Sequence, residues 1–405
     1  MNTLLFSLIG ALRSHRWLRF IGIAYILSSL GNGLTQVIIF GQLLHWHTSA
    51  ATLTIVYMLS MLPSFIGSIW GEILCKKTSL LRILIFTEIS GLFALVFPFY
   101  GLLHHNVPAL LVVQCIEAML SGISYPALAL LFKSGLRHDE LPAATAMETI
   151  IFASQVLLGT GLGVLLFDLI PPLSLLAIDA LSFTASATLL MMSATIFCGA
   201  AHPATEATPV SQESIWRAIS SLQKRSIMLL PALAAVGSPA MALLPALAQA
   251  ITPEDPAGLA LPLLFARSLG QLCGPLMLDA SKLQQYASNN RLLMTCLSIF
   301  IGSYFLLPLS AVYPYAGLFL IFSAHMSSNI VFALGTSSIL RNFPQTQVAI
   351  ASAMSWRFQV LTATFFIGIS SAIAQYFGPF YALYCMSLFS LGVVGIFLWW
   401  NSAKN

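Results

Sequence analysis

The stretch "GSIWGEILCKK" (residues 67–77) ends one long apolar segment of the chain, and the related stretch "GPLMLDASK" (residues 274–282) ends another. In both, a glycine is followed after four residues by an acid and, three or four residues later, by a base. The two stretches lie 207 residues apart, and so do "ATAM" (144–147) and "ASAM" (351–354), each at the start of a later apolar segment. Two matches at one offset predict a parallel duplication, six helices followed by six, although small-residue patterns also recur in polytopic proteins without one.

The composition places these segments in a membrane. Of the 405 residues, 58% are hydrophobic and only 7% are charged, and the mean hydropathy is +0.89, whereas soluble domains carry about 25% charged residues. Apolar stretches of about 20 residues predict membrane-spanning helices, because barrel strands would alternate over about 10 residues. We therefore predict an all-α protein with twelve spans, numbered in chain order: residues 18–43, 51–74, 80–103, 108–132, 142–169, 173–197, 226–251, 257–279, 291–313, 314–339, 347–375 and 379–400.

The basic residues orient these spans. Of the 17 Lys and Arg residues, 15 fall in alternate loops or in the first residues of the spans that adjoin those loops, and the other two, Arg267 and Arg357, fall well inside predicted helices. Because cytoplasmic loops are enriched in Lys and Arg, this distribution predicts a multi-pass protein of the bacterial inner membrane with both termini in the cytoplasm. The net charge of +4 reflects that orientation and indicates no nucleic-acid partner.

A polar stretch between spans 6 and 7 predicts the domain organisation. Residues 1–197 form an N-terminal six-helix bundle, residues 226–405 form a C-terminal bundle, and residues 198–225 link them, with a short amphipathic surface helix in "SQESIWRAISSLQKR". The six cysteines are scattered, without the spacing of a disulfide framework or a zinc site. No nucleotide-binding or catalytic motif occurs, so we expect no enzymatic activity, no metal and no cofactor.

Twelve spans, a six-plus-six repeat and a central loop resemble the major facilitator superfamily. Within it, "LSLLAIDALSFTASATLL" (173–190) and "RHDELPAATAM" (137–147) are similar to span 6 and to the loop before span 5 of the branch that contains enterobactin exporters and macrolide-efflux pumps. The resemblance implies two six-helix bundles that rock in alternating access, with a proton gradient as the driving force. It also implies a monomer and a central cavity lined by spans 1, 4, 7 and 10.

The end of span 2 resembles the Gly-x-x-x-x-Asp-Arg motif of that superfamily, with Glu72 as the acid and Ile73 in place of the arginine. An acid at a helix C-terminus is repelled by the helix dipole and needs a cation, here Lys76 or Arg137. Breaking such a pair can open a cytoplasmic gate, and solvated loop charges are the alternative. The residues predicted to form the gate are Gly67, Glu72, Lys76, Lys77, Arg137, Glu148, Gly274 and Asp279.

Ionisable groups inside the spans are costly and usually functional. Glu117 of span 4 lies near mid-membrane, and the repeat offset maps it to position 324, beside His325 of span 10. Because the resemblance places both spans at the cavity, we predict that Glu117 and His325 couple transport to protons. An arginine that approaches Glu117 in only one conformation would make it release its proton there. A neutral hydrogen-bonded acid between helices is the alternative.

Arg267 of span 8 and Arg357 of span 11 have two explanations that both stay open. Each pairs with a buried acid and stabilises the protein, or at least one receives an anionic group of the substrate, because a guanidinium binds a carboxylate bidentately. Polar side chains at helical spacing on span 1 add hydrogen-bonding groups. The residues predicted to line the substrate cavity are Arg267, Arg357, Asn32, Gln36 and Ser28.

The sequence therefore predicts a secondary active transporter that exports a small organic molecule in exchange for protons. The resemblance suggests a siderophore-like substrate, and the intramembrane arginines favour one that carries carboxylates. A multidrug or macrolide efflux pump and an importer of an organic anion are the alternatives within transport. A transport-inactive membrane partner or sensor is the alternative from another class.

Overall fold

The computed structural model describes residues 3–46, 58–167, 169–197, 216–254 and 256–402. Within these ranges the chain is helical apart from short turns and one isolated bridge, which confirms the predicted all-α fold. Nine of the described helices are long and apolar enough to cross a membrane, judged by length and composition. The helices of spans 1 to 12 are Arg16–His45, Ser64–Lys77, Leu80–Ala94 with Val96–His104, Val107–Gly135, Leu141–Ser154 with Gly161–Phe167, Pro172–Ile196, Ser221–Ile251, Pro256–Leu276, Asn290–Phe305, Pro314–Asn342, Gln345–Phe377 and Pro379–Ser402.

Prolines interrupt spans that the sequence predicts as continuous. Span 3 breaks at Leu95 because Pro98 has no N–H to donate to the carbonyl of the preceding turn. In span 2, residues 58–59 are helical, a turn follows at residues 60–63, and the helix Ser64–Lys77 begins directly after Pro63. The first part of the predicted range, 51–57, lies outside the described residues. Span 9 ends at Phe305 and continues as a 3-10 turn that contains a proline, so each of these spans is shorter as a regular helix than predicted.

Span 5 contains a π-helical turn, Gln155–Thr160, where a single α-helix was predicted. At this turn span 5 lies directly against span 1, because an added Cβ on Gly33 would collide with Gly159 and with the carbonyl oxygen of Gln155. Two glycines thus allow backbone-to-backbone contact between the helices, which is how small residues act in membrane proteins.

Span 7 begins at Ser221, five residues earlier than predicted. Ser220 and Gln223 form a reciprocal capping box, in which each side chain satisfies the other residue's backbone N–H at the start of the helix. Leu222, which was predicted to belong to the amphipathic surface helix, therefore lies in the first turn of span 7. Most of the predicted linker, 198–215, lies outside the described residues.

Contacts divide the chain into two compact units. The N-unit comprises Leu8–Gln212 and Phe343–Arg357, and the C-unit comprises Met1–Ser7, Glu213–Asn342 and Phe358–Asn405. Span 11 is shared, because its residues up to Arg357 belong to the N-unit. The predicted bundles, 1–197 and 226–405, follow the order of the chain and stay a prediction.

Each unit packs its spans in the same way. Span 1 packs on span 6 and span 2 on span 4 in the N-unit, and span 7 packs on span 12 and span 8 on span 10 in the C-unit. An added Cβ on Gly67 would collide with the backbone carbonyl of Met119, and one on Gly274 would collide with that of Met326. Gly67 and Gly274 are 207 residues apart, and so are Met119 and Met326. The two units therefore share an equivalent close helix contact at the 207-residue offset, as the duplication predicted from sequence requires.

We predict that Gly274→Ala destabilises the protein and that Gly302→Ala does not. The first methyl group meets the backbone of span 10, and such overpacking costs about 1–3 kcal/mol. The second meets nothing within 4 Å, and replacing glycine by alanine in a helix favours the helix by about 0.5–1 kcal/mol. Thermal unfolding of the purified protein in detergent, followed by circular dichroism, compares the two. Equal unfolding temperatures would show that the span 8 contact is not tight.

Candidate functional site

The end of span 2 carries a buried ion pair with span 11 inside the N-unit. Glu72 is only 6% exposed, and one of its oxygens accepts a hydrogen bond from Arg357 Nη2 at 3.0 Å. Its other oxygen accepts a hydrogen bond from Lys76 Nζ, one turn along the same helix, at 3.2 Å. Arg357 is itself 5% exposed, and its Nη1 is buried without a hydrogen-bond partner among the described residues. Of the two explanations for Arg357, the described structure thus contains the pairing with a buried acid.

A tryptophan beside Arg357 extends this contact. Trp356 donates a hydrogen bond from Nε1 to Ser64 Oγ at 3.0 Å, and its ring lies 4.5 Å from the ring of Tyr125, measured between centroids. Ser64 begins span 2 and Tyr125 lies on span 4, so the start of span 11 is held against both helices. Sequence reasoning missed Trp356, although its place directly before the intramembrane arginine is the signal that could have found it.

The remaining predicted gate residues have separate surroundings. Arg137 was predicted as a possible partner of Glu72, but its guanidinium lies 3.2 Å from Glu140 Oε1, and Glu140 also lies 3.1 Å from His15 Nε2. Burial raises the pKa of Glu140, but the hydrogen bonds from Arg137 and the contact with His15 outweigh it, and the pKa lies below its ordinary value. Lys77 is exposed, and Glu148 is buried at 9% exposure on span 5.

Asp279, which the repeat aligns with Glu72, caps a local turn. Its Oδ1 accepts hydrogen bonds from the backbone and the hydroxyl of Ser281, at 3.0 and 2.7 Å, and Lys282 lies 4.0 Å from Oδ2. These hydrogen bonds, with a smaller contribution from Lys282, hold the pKa of Asp279 below its ordinary value. Next to it, the backbone N–H of Leu4 donates to the carbonyl of Leu278 at 2.9 Å, so the N-terminal segment lies against the end of span 8. The two copies of the motif thus end in different contacts.

Three carboxyl groups lie close enough inside the N-unit to interact electrostatically. Asp179 of span 6 interacts with Glu88 of span 3 and with Glu117 of span 4. Asp179 is fully buried and accepts hydrogen bonds from Thr35 and Ser182. The Oε1 atom of Glu117 is buried and has no hydrogen-bond partner among the described residues. Glu117, Asp179 and Glu88 thus form an acidic cluster inside the N-unit, and the predicted proton-coupling role of Glu117 stays a prediction.

The polar stripe of span 1 faces this acidic cluster in part. Ser28 is 3% exposed and lies beside the Glu88 carboxyl group. Asn32 is half-buried, and its Oδ1 has no hydrogen-bond partner within the described ranges. Gln36 is half-buried as well. The structure places Ser28 at the contact between spans 1 and 3, and its predicted role in the substrate cavity stays a prediction.

In the C-unit, His325 is enclosed by span 9. It is 1% exposed, its Nε2 lies 2.9 Å from the hydroxyl oxygen of Tyr304, and the ring of Phe300 meets it edge-on at 5.4 Å between centroids. Arg267 of span 8 interacts electrostatically with His325. Tyr304 was missed by sequence reasoning, since no short spacing links it to His325. The proton-coupling role of His325 stays a prediction.

Arg267 differs from Arg357 in its partners. It is half-buried in the middle of the helix Pro256–Leu276, and its Nε is buried without a hydrogen-bond acceptor among the described residues. The ion pairs found in the described parts of the chain involve other cations: His15, Lys76, Arg137, Lys282 and Arg357. Arg267 thus has no carboxylate partner among the described residues, and its predicted role in the substrate cavity stays a prediction.

Known transporters share the arrangement of these helices. The chain superposes on a crystal structure of a bacterial homologue of the iron transporter ferroportin in its outward-facing state, with a TM-score of 0.70 at 14% identity, over 96% of this chain and 99% of that one. It also superposes on the human organic anion transporter MFSD10 (TM-score 0.68, 11% identity, 95% and 98% covered) and on the Escherichia coli fucose:proton symporter FucP (TM-score 0.66, 13% identity, 95% and 98% covered).

The chain has the major facilitator fold. At identities this low, the likeness establishes the fold and leaves the branch of the superfamily unassigned. No protein-family model matches the chain. An uncharacterized 29.9 kDa protein in the crtE 3′ region of Pseudescherichia vulneris is 60% identical over 74 residues, which are 18% of this chain. The chain thus spans about a quarter, 27%, of that relative.

Iron is the cargo named for the first of these structures, but the described residues here hold no cluster of three or more His, Cys, Asp or Glu side chains placed to bind a metal ion. The N-unit contains the carboxyl groups of Glu88, Glu117 and Asp179, and the C-unit contains Arg267 and His325.

We predict that Arg357→Ala destabilises the protein by about 3–5 kcal/mol, because it leaves the buried Glu72 carboxylate without its buried counter-ion. Lys76→Ala is the matched control. The Lys76 side chain is 50% exposed, so its loss costs about 0–1 kcal/mol. Denaturant titration of both variants in mixed micelles, followed by tryptophan fluorescence, measures the difference. Equal losses for the two variants would contradict a buried pair between spans 2 and 11.

Proposed function

We propose that the chain is a secondary active transporter of the bacterial inner membrane that exports a small organic carboxylate in exchange for protons. The observation that carries this proposal is Arg267, a guanidinium in the middle of a spanning helix that no described carboxylate neutralises. Both termini lie in the cytoplasm in this proposal, as the distribution of Lys and Arg indicates.

The energetic argument starts from the cost of a charge at mid-membrane. An arginine at the centre of a spanning helix costs about 2.5–3.5 kcal/mol on insertion scales, and such residues face a partner or a hydrated cavity. Arg357 has its partner in Glu72. Arg267 lacks an internal carboxylate in the described structure, so a hydrated path and an anionic ligand are what support its charge.

The chemistry of a guanidinium favours carboxylates among the anions of small organic molecules, since two parallel N–H groups match two carboxylate oxygens. The half-buried position of Arg267 leaves part of its side chain accessible. The likeness to a human organic anion transporter supports the same class of substrate. A siderophore-like molecule with carboxylate groups is the member of this class that the sequence resemblance favours, and that resemblance also favours export.

Proton coupling is assigned to Glu117. It lies in the acidic cluster of the N-unit, beside Asp179, and its Oε1 is buried without a described hydrogen-bond partner. A carboxyl group in such surroundings changes its protonation when the conformation around it changes. The likeness to a fucose:proton symporter supports proton coupling in this fold.

A binding test uses carboxylates beside their uncharged amides: benzoate with benzamide, and succinate with succinamide. We predict that at least one carboxylate raises the unfolding temperature of the detergent-purified protein and that its amide does not. Arg267→Ala abolishes this stabilisation, because it removes the cation. Arg291→Ala, which removes an exposed arginine of the same unit, keeps it. Stabilisation by amides and carboxylates alike, or equal behaviour of the two variants, would contradict an anionic substrate.

A flux test addresses the proton. In proteoliposomes, Glu117→Gln is expected to abolish transport driven by an imposed pH gradient while retaining exchange of labelled for unlabelled carboxylate, because glutamine cannot release a proton. Glu254→Gln removes an exposed carboxyl group outside the spans and is the control. Unchanged pH-driven flux in Glu117→Gln would overturn the assignment of Glu117 and leave the carboxylate class standing.

A further inference from the structure

Span 8 holds a second buried polar atom without a hydrogen-bond partner among the described residues, one turn from Arg267. Gln271 is 2% exposed, and its Oε1 accepts no hydrogen bond from any residue that the structure describes. Buried amide oxygens are almost always hydrogen-bonded, because leaving one without a donor is costly. An acceptor without a donor in this position therefore calls for an explanation.

The two groups share one face of the helix. Arg267 and Gln271 are four residues apart, which places their Cβ atoms about 5–6 Å from each other on the same side. Two glycines pack against span 10: Gly270, three residues after Arg267, and Gly274, three residues after Gln271. They lie on the adjoining face of the helix. His325 of span 10 interacts electrostatically with Arg267, which fits the same side of span 8. The face of Arg267 and Gln271 thus adjoins the contact between spans 8 and 10.

The neighbouring side chains are already engaged. Ser268 donates its hydroxyl hydrogen to the carbonyl oxygen of Leu264 at 2.9 Å. The Nε2 atom of His325 lies 2.9 Å from the hydroxyl oxygen of Tyr304. Arg267 Nε, a donor, and Gln271 Oε1, an acceptor, do not bond to each other in the described structure. One buried donor and one buried acceptor are thus left facing the same side of span 8.

We propose that Gln271 recognises a hydrogen-bond donor next to the carboxylate of the substrate, so that the site takes 2-hydroxy or 2-amino carboxylates. The carboxylate accepts hydrogen bonds from the Arg267 guanidinium, and the hydroxyl or amino group donates to Gln271 Oε1. This inference rests on the proposed function, since it assumes that Arg267 binds the carboxylate. The hydrogen bond to Gln271 is the contact by which the site distinguishes one carboxylate from another.

The repeat supports a role particular to this half of the protein. The positions 207 residues before Arg267 and Gln271 are Ser60 and Ser64. Ser64 donates to the carbonyl oxygen of Met61 and accepts from Trp356, so the N-unit uses the equivalent position for its own packing. The fold itself therefore does not demand a charged and an amide side chain on this helix face. Their presence on span 8 is a difference between the two halves, as expected of residues that contact a ligand.

The test compares pairs of carboxylates that differ by one hydroxyl group: malate with succinate, and citrate with tricarballylate. Titration calorimetry on the full-length protein in detergent measures each dissociation constant. We expect the hydroxylated member to bind about 10- to 100-fold more tightly, because its absence leaves the buried Oε1 unsatisfied. Gln271→Met, which keeps the volume and removes the acceptor, is expected to bring the ratio close to one.

Gln271→Asn is the second variant, for the case that methionine disturbs the fold. It keeps the acceptor but draws it back by one carbon, so the preference falls without vanishing. Arg267→Ala weakens both members of a pair equally. If the wild type binds both members equally and Arg267→Ala abolishes that binding, Gln271 has no such role and the proposed function stands. If no carboxylate binds, both proposals fail. A hydroxyl preference that persists in Gln271→Met also overturns the role of Gln271.

Discussion

The cost of a positive charge inside a membrane is the constraint on which the rest of this structure depends. The charge of Arg357 is compensated by a buried carboxylate, Glu72, and Trp356 anchors the same turn of span 11. Arg267 lies at mid-helix without a carboxylate among the described residues. The two arginines look alike in sequence, yet Arg357 has a buried carboxylate partner and Arg267 has none among the described residues.

A duplicated scaffold makes this difference visible. The two units repeat the closest helix contacts at one offset, since Gly67 meets Met119 as Gly274 meets Met326. The polar side chains on that scaffold do not repeat. Glu88, Glu117 and Asp179 lie in the N-unit, and Arg267, His325 and Gln271 lie in the C-unit. The closest helix contacts are thus shared between the two units, while these polar side chains differ between them.

The sequence predicted the helical fold, most helix ends and the 207-residue repeat, because hydropathy and small-residue spacing are local patterns. It did not predict that proline would break span 3 at Leu95, or that Ser220 and Gln223 would start span 7 early, because these depend on single hydrogen bonds. Of the two partners of Glu72, the sequence predicted Lys76, one turn along the same helix, and missed Arg357. Arg357 lies 285 residues after Glu72 in the chain, and no spacing in the sequence encodes their contact.

The most direct measurement of the central claim is chemical access to position 267. In a background without the six native cysteines, Arg267→Cys is treated with a membrane-impermeant, negatively charged methanethiosulfonate, beside Leu263→Cys, whose native side chain is fully buried one turn away. The account predicts that the thiol at 267 is modified, that a bound carboxylate slows its modification, and that the thiol at 263 is not modified. Equal inertness at both positions would contradict it, because Arg267 would then have no hydrated path to a ligand.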